Sequence, residues 1–276
     1  MSTPEILPPL LVRLGFTLRQ TNGVDFIVPP LCRVLSGQFL MGSDPQQDPY
    51  CQDDERPQTR IALHSFHVGR FPVTVAEYAC FVRAGQAPPR RTFPGNVLSD
   101  WPDQLKRSDH PVVGVTWHDA VAYVSWLDTH VERRGWRLPS EAEWEKAARW
   151  NREARRATIY PWGDSFEQVR CNCRGSGVDA TTSVGAFADG AAPCGAQDLA
   201  GNVSEWTSSL YHPYPYRADN GSMGAPGELT DLSSRYVCRG GSWDSYPDDV
   251  RTAYRAPCLA DAPHELIGFR LAWVPR

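Results

Sequence analysis

Side chains able to do chemistry are plentiful in this chain of 276 residues, but few stand at chemical spacing. Cys171-Asn172-Cys173 is the tightest sulfur pair. Its one-residue gap is shorter than the knuckle of a tetrahedral zinc site, and no matching pair follows. With Cys32, Cys51, Cys80, Cys194, Cys238 and Cys258 these make eight cysteines. No secretory leader is seen, so they read mostly as buried free thiols. The histidines are scattered: His64, His67, His110, His118, His130, His212 and His264. His64 and His67 are the close pair, but a step of three on a strand sends two side chains to opposite faces. Gly-x-Ser-x-Gly is absent, which argues against a serine nucleophile on an elbow. Gly-x-x-x-x-Gly-Lys is absent too, so no phosphate loop is expected.

The elements that must position any site begin with three helix starts. Thr74 with Glu77 and Ser140 with Glu143 have capping-box spacing, and a third helix starts at Thr116-Trp117-His118-Asp119. The second helix in chain order runs to about residue 133 on the period of Ala120, Tyr123, Val124 and Leu127. The third runs from Ser140 to about Trp150. Residues 34–41 alternate as one strand, and residues 59–68 as another with apolar residues on both faces, hence covered. An acidic loop, residues 44–55, lies between them. Beyond Asn151 the helical period disappears, and short strands and loops take over. Residues 1–30 read as an arm packed on a main domain of residues 31–276.

Composition narrows the function classes. Net charge is -4, with no basic footprint for nucleic acid. No window approaches the ~18 apolar residues of a membrane span. The N-terminal residues lack a charged and apolar leader, so the expectation is a cytoplasmic protein, or one delivered to the surface by a route that leaves no N-terminal mark. Ten tryptophans among 22 glycines and 24 prolines point to irregular segments pinned by large aromatics.

Five motifs then fall in order: Trp136-Arg137-Leu138-Pro139-Ser140-Glu141, Tyr160-Pro161-Trp162-Gly163-Asp164, Gly201-Asn202-Val203-Ser204-Glu205-Trp206, Arg239-Gly240-Gly241-Ser242-Trp243, and Ile267-Gly268-Phe269-Arg270. This series resembles the formylglycine-generating-enzyme, or sulfatase-modifying-factor, family. The resemblance implies an α+β, C-type-lectin-like fold, loop-rich with short strands and a few helices. It also implies two catalytic cysteines, two and seven residues after the aromatic of the Gly-Gly-Ser-aromatic motif. Here those positions are Ser245 and Val250. The soft ligands that select copper are missing, and no three-histidine iron site is evident, so neither copper nor iron is expected. Cys238 with Cys258 is a conceivable relocated pair. Calcium is the cation that the resemblance implies, with Asn202, Val203 and Glu205 as candidate oxygen ligands. The alternative roles are a turn held by Asn202 and a buried arginine paired by Glu205. Trp206 and Trp243 read as core aromatics, and Arg239 and Arg270 as buried, bidentate organisers.

The stretch between Trp243 and Ile267 has no regular period. It mixes Tyr, Asp, Ser and His, the adaptable residues of binding loops. Its frame is similar to the variable region of diversity-generating-retroelement target proteins, here residues 239–270. Randomising the adenines of Asn codons cannot reach Glu, Gln, Lys, Met or Trp. Between Asp244 and Leu266 only Glu265 lies outside the reachable set. The leading expectation is a non-catalytic, retroelement-diversified binder of an unknown protein or surface ligand. Its contacts would be Asp244, Ser245, Tyr246, Asp248, Asp249, Tyr254, Cys258 and His264. Two alternatives stay open: a formylglycine-generating-type or non-heme-iron oxidase homologue with a rearranged metal site, and a module for one fixed protein partner.

Overall fold

Backbone donors left over at helix starts decide where this chain turns, and each expected cap is in place. The computed structural model describes residues 6–90, 100–132, 134–216 and 234–275. Helices α1 (Pro9–Arg13), α2 (Val75–Arg83), α3 (Trp101–Gln104), α4 (Trp117–His130) and α5 (Glu141–Arg149) carry the helical part. Reciprocal capping boxes start α2 at Thr74/Glu77, α4 at Thr116/Asp119 and α5 at Ser140/Glu143. Helix α4 stops at His130, short of residue 133. The Asp128 carboxylate accepts from the backbone N–H groups of Gly135 (2.7 Å) and Trp136 (2.9 Å) and folds the chain back. Helix α5 likewise ends one residue early, because Trp150 already belongs to a strand.

The strands are β1 (Thr17–Thr21), β2 (Val24–Val28), β3 (Leu31–Val34), β4 (Gly37–Met41), β5 (Thr59–Leu63), β6 (Phe66–Gly69), β7 (Trp136–Arg137), β8 (Trp150–Asn151), β9 (Arg156–Ala157), β10 (Ser204–Leu210), β11 (Arg235–Arg239), β12 (Arg255–Leu259), β13 (Ile267–Phe269) and β14 (Ala272–Trp273). Both strands expected before residue 70 divide in two. β3 and β6 join a four-stranded sheet ordered β3-β6-β14-β7, while β4 and β5 form their own hairpin. The breaks at Leu35-Ser36 and His64-Ser65 let one pair of chain segments leave one sheet for another. Alternation persists through such a break, so the sequence does not betray it. β5 is not covered: its residues alternate between half-buried and exposed.

The second four-stranded sheet is ordered β12-β11-β10-β13. It aligns three motifs side by side. Glu205 sits opposite Arg239 on β11 and opposite Gly268 on the parallel neighbour β13. Against this sheet pack α2 and α4, with Tyr123 in aromatic contact with both Tyr78 and Phe269. Trp117 stacks on Tyr236 with centroids 3.9 Å apart. Residues 9–28 pack into this core. Leu11, Phe16, Phe26 and Ile27 are buried within it, and Phe16 stacks on Phe71.

Two consequences can be measured. Trp206 is fully buried and donates its indole N–H to the Val115 carbonyl at 3.0 Å. Trp206→Ala removes that packing and should cost about 3–5 kcal/mol in urea unfolding. A loss below ~1 kcal/mol would contradict its place in the core. Glu77 concerns pH. One carboxyl oxygen takes Thr74 N and Oγ1, both at 2.7 Å, while its buried Oε1 accepts nothing among the described residues. Burial lifts its pKa from 4.5 to about 8, against the Thr74 hydrogen bonds. The fold therefore favours the protonated acid, and that stability fades as pH rises from 4.5 to about 8. Glu77→Gln, which cannot ionise, should lose less stability than the parent over that window. Parallel profiles would show that Glu77 is not the titrating group.

Candidate functional site

Arginines inside a protein need carboxylates, and four of them build the frame under the C-terminal segment. Arg270 forms a two-toothed pair with Glu205, both contacts at 2.6 Å, and donates to the carbonyls of Gly69 and Gln197. Trp144 of α5 adds its indole N–H to the same carboxylate at 2.7 Å. Arg239 binds Glu145 of α5 and the carbonyls of Thr252, Ala253 and Tyr254. It is therefore buried as expected, but it spends its fork on backbone rather than on one carboxylate. Arg251 is fully buried between Glu55, at 2.7 and 2.9 Å, and Asp48 at 2.6 Å. Arg255 pairs with Glu141, the first residue of α5, at 2.8 and 2.9 Å. Its guanidinium lies over the rings of Tyr214 and Tyr211.

The acidic loop of residues 44–55 is thus partly an internal counter-charge. Asp48 and Glu55 are buried, and they fix Arg251 in the middle of the segment. Sequence reading missed these partners. The available signal was two arginines, Arg251 and Arg255, inside a polar loop that follows an unusually acidic one.

On this frame the segment turns outward. Gly241 has φ 64°, and a Cβ there would sit 2.7 Å from the Asp249 carbonyl, so glycine is required. The turn is closed by the Ser245 hydroxyl, which accepts from Ser242 N–H at 3.0 Å. Tyr246 then projects, 58% exposed. Arg174, from the loop after Cys173, braces it. Its guanidinium donates to the Tyr246 hydroxyl (3.1 Å) and to the Asp244 carboxylate (2.6 Å) and carbonyl (3.0 Å). Asp248 and Asp249 follow on a short turn of helix, Pro247–Val250, and are half-buried. Burial, then the nearby Asp249, raises the half-buried Tyr254 phenol to about 12.

Asp244, Ser245, Tyr246, Asp248 and Asp249 therefore share one turn, with Tyr254 close behind. Cys258 lies on the edge strand β12, and its thiol faces Cys238, which burial raises far above the ordinary range. His264 turns back on its own loop, where its ring nitrogen lies 3.2 Å from Leu266 N. Among the described residues no contact joins His264 to the Arg174–Tyr246 group. Trp243 is only half-buried, and its indole N–H has no partner among the described residues, unlike the core aromatic expected there.

The calcium candidates do not fit a cation shell. Both oxygens of Glu205 are taken by Arg270 and Trp144, and a cation there would face a guanidinium. Asn202, at φ 64°, uses its amide oxygen on Thr182 N at 2.9 Å, which holds the turn before β10. Among the described residues no group of three or more His, Cys, Asp or Glu side chains could hold a metal. All eight cysteines are free, and Cys32, Cys51, Cys194 and Cys258 are only half-buried. At the family's catalytic positions, Ser245 closes its turn and Val250 is fully buried among Tyr160, Cys171, Cys173 and Ala200. The Cys171 and Cys173 sulfurs are 3.7 Å apart.

The family model for the "sulfatase-modifying factor enzyme 1-like domain" matches residues 18–275. A hercynine oxygenase of Mycolicibacterium thermoresistibile is 32% identical over 270 positions, covering 85% of this chain and 56% of that protein. The chain spans between 56% and 65% of the length of the three hercynine oxygenases it matches. A formylglycine-generating enzyme of Streptomyces coelicolor is 31% identical, covering 87% of this chain and 88% of that protein. Among solved structures, Treponema denticola variable protein 1 superposes with a TM-score of 0.69 at 18% identity, over 95% of this chain and 99% of that one. At that identity the likeness is one of fold. Among the described residues no helix is long and apolar enough to cross a membrane.

The frame makes a direct forecast. Arg251→Met strands Glu55 and Asp48 as buried, uncompensated carboxylates and should cost about 3–5 kcal/mol in urea unfolding. A cost within the ~1 kcal/mol range of exposed pairs would mean that Arg251 does not anchor the segment.

Proposed function

The chain belongs to the sulfatase-modifying factor enzyme 1-like family, and on that scaffold we propose a non-catalytic binding protein whose C-terminal turn meets the ligand. The binding face would comprise Asp244, Ser245, Tyr246, Asp248 and Asp249, with Tyr254 behind them. One observation carries the reading: an exposed aromatic, Tyr246, takes a hydrogen bond from Arg174 and lies under its guanidinium, on a turn whose roots are buried and ion-paired. A rigid aromatic offers contact area at little cost in side-chain entropy. The carboxylates around it would select polar or cationic ligand groups. A diversified segment needs this separation of an invariant frame from a replaceable face.

The second reading, an oxidase with a rearranged metal site, has one observation in its favour. Cys171 and Cys173 lie in the same cluster as Val250, which occupies a family catalytic position. Two thiolates there would suit a soft ion such as Cu(I). Oxygen uptake by the purified, copper-loaded protein separates the two readings, and the binder is expected to consume none.

The binding reading specifies which positions vary. Sequencing many copies of the gene's final segment should find substitutions concentrated at residues 244–249 and 254. Val250, Arg251, Thr252 and Arg255, all buried, should stay fixed. A reverse transcriptase and a downstream near-copy differing at adenines are expected beside the gene. Replacement of Arg251 as often as Tyr246, or a segment identical in every copy, would overturn the diversified reading.

A further inference from the structure

Away from the C-terminal face, a cleft of about 670 Å³ opens between β3, β4, β5, α5 and the β8–β9 turn. Arg33, Arg60, Lys146, Arg152 and Arg155 line it, with Trp150 in the wall. Its lining holds no Asp or Glu among the described residues. The core arginines Arg149, Arg239, Arg251, Arg255 and Arg270 each have a carboxylate partner. Among the described residues, Arg33, Arg60, Arg152 and Arg155 have none. Five cations thus converge on a concave surface in a chain whose net charge is -4.

Like charges crowded without a counter-ion repel one another, and a low-dielectric wall strengthens that field. Lys146 feels part of it, through Arg152. The ammonium is buried, donates to the Gly37 carbonyl at 2.8 Å, and is pulled down to about 8 by burial and then by Arg152. Burial and ordering of such a group are recovered when an anion enters. Guanidinium forks match phosphate oxygens in pairs, and the ammonium adds a point charge. Trp150 offers an aromatic edge to the same space. We propose that this cleft binds a small anion carrying two or more phosphate groups, either a nucleoside polyphosphate or an inorganic polyphosphate.

Calorimetric titration of the full chain with ATP, pyrophosphate and adenosine tests this. ATP and pyrophosphate should bind, more weakly as salt rises, and adenosine should not. ATP binding tighter than pyrophosphate assigns the nucleotide; equal or weaker binding assigns the inorganic anion. The double variant Arg60→Glu/Arg152→Glu changes two exposed residues. It should lose at least about 10-fold in affinity, since one charge-assisted bond is worth about that factor. Its melting temperature without ligand should match the parent. Tyr246→Ala should bind ATP like the parent, which separates this cleft from the C-terminal face. Absence of ATP and pyrophosphate binding at millimolar concentration, adenosine binding as tightly as ATP, or unchanged affinity in the charge-reversed variant would overturn the proposal.

Discussion

The carboxylate of Glu205 is the point on which three separate parts of this fold close. It stands on β10, receives Arg270 from the end of β13, and receives the Trp144 indole from α5. Arg270 then reaches the carbonyls of Gly69 and Gln197, so one ion pair ties both four-stranded sheets and a loop together. A buried pair of this kind is a weak source of net stability. Its desolvation cancels much of its attraction. It is a strong source of uniqueness, because every alternative arrangement leaves a charge alone in the interior. Irregular chain of this length needs such a device, since it lacks long ladders to set its register.

The same logic spreads outward through Arg239, Arg255 and Arg251. Helix α5 serves as the shared rail: Glu141 takes Arg255, Glu145 takes Arg239, and Arg149 returns to Glu145. Positions 141, 145 and 149 are one helical turn apart, so a single face supplies all three. Arg251 draws instead on the acidic loop. The C-terminal segment is therefore nailed at residues 239, 251 and 255, and between the first two of these the stretch from 244 to 249 reaches solvent, with Tyr246 exposed. Rigid frame and presented turn are two products of one charge arrangement.

Much of this was legible in the residues. The three helix caps were, because a side chain that satisfies a backbone donor sits at a fixed offset from it. The buried roles of Trp206, Arg239 and Arg270 were also readable, from aromatic and guanidinium groups set among glycines. Two kinds of feature were not. The splitting of residues 34–41 and 59–68 between sheets leaves alternation intact, so periodicity could not reveal it. The partners of Arg251 lie about 200 positions away in sequence, and spacing carries no information over that distance. Residue type alone puts Trp243 in the core, yet its neighbours leave it half-buried.

Ser245 and Val250 are each built into this arrangement as they stand. Ser245 accepts from Ser242 N–H and so stabilises the turn by its own hydrogen bond, not as a spectator. Val250 fills a fully buried apolar site beside Tyr160 and Ala200. Neither position touches Glu205, Arg239 or Arg270 through any hydrogen bond or ion pair among the described residues. The frame therefore does not depend on sulfur at these two positions. A hydroxyl at one position and a close-packed aliphatic at the other are therefore compatible with the fold.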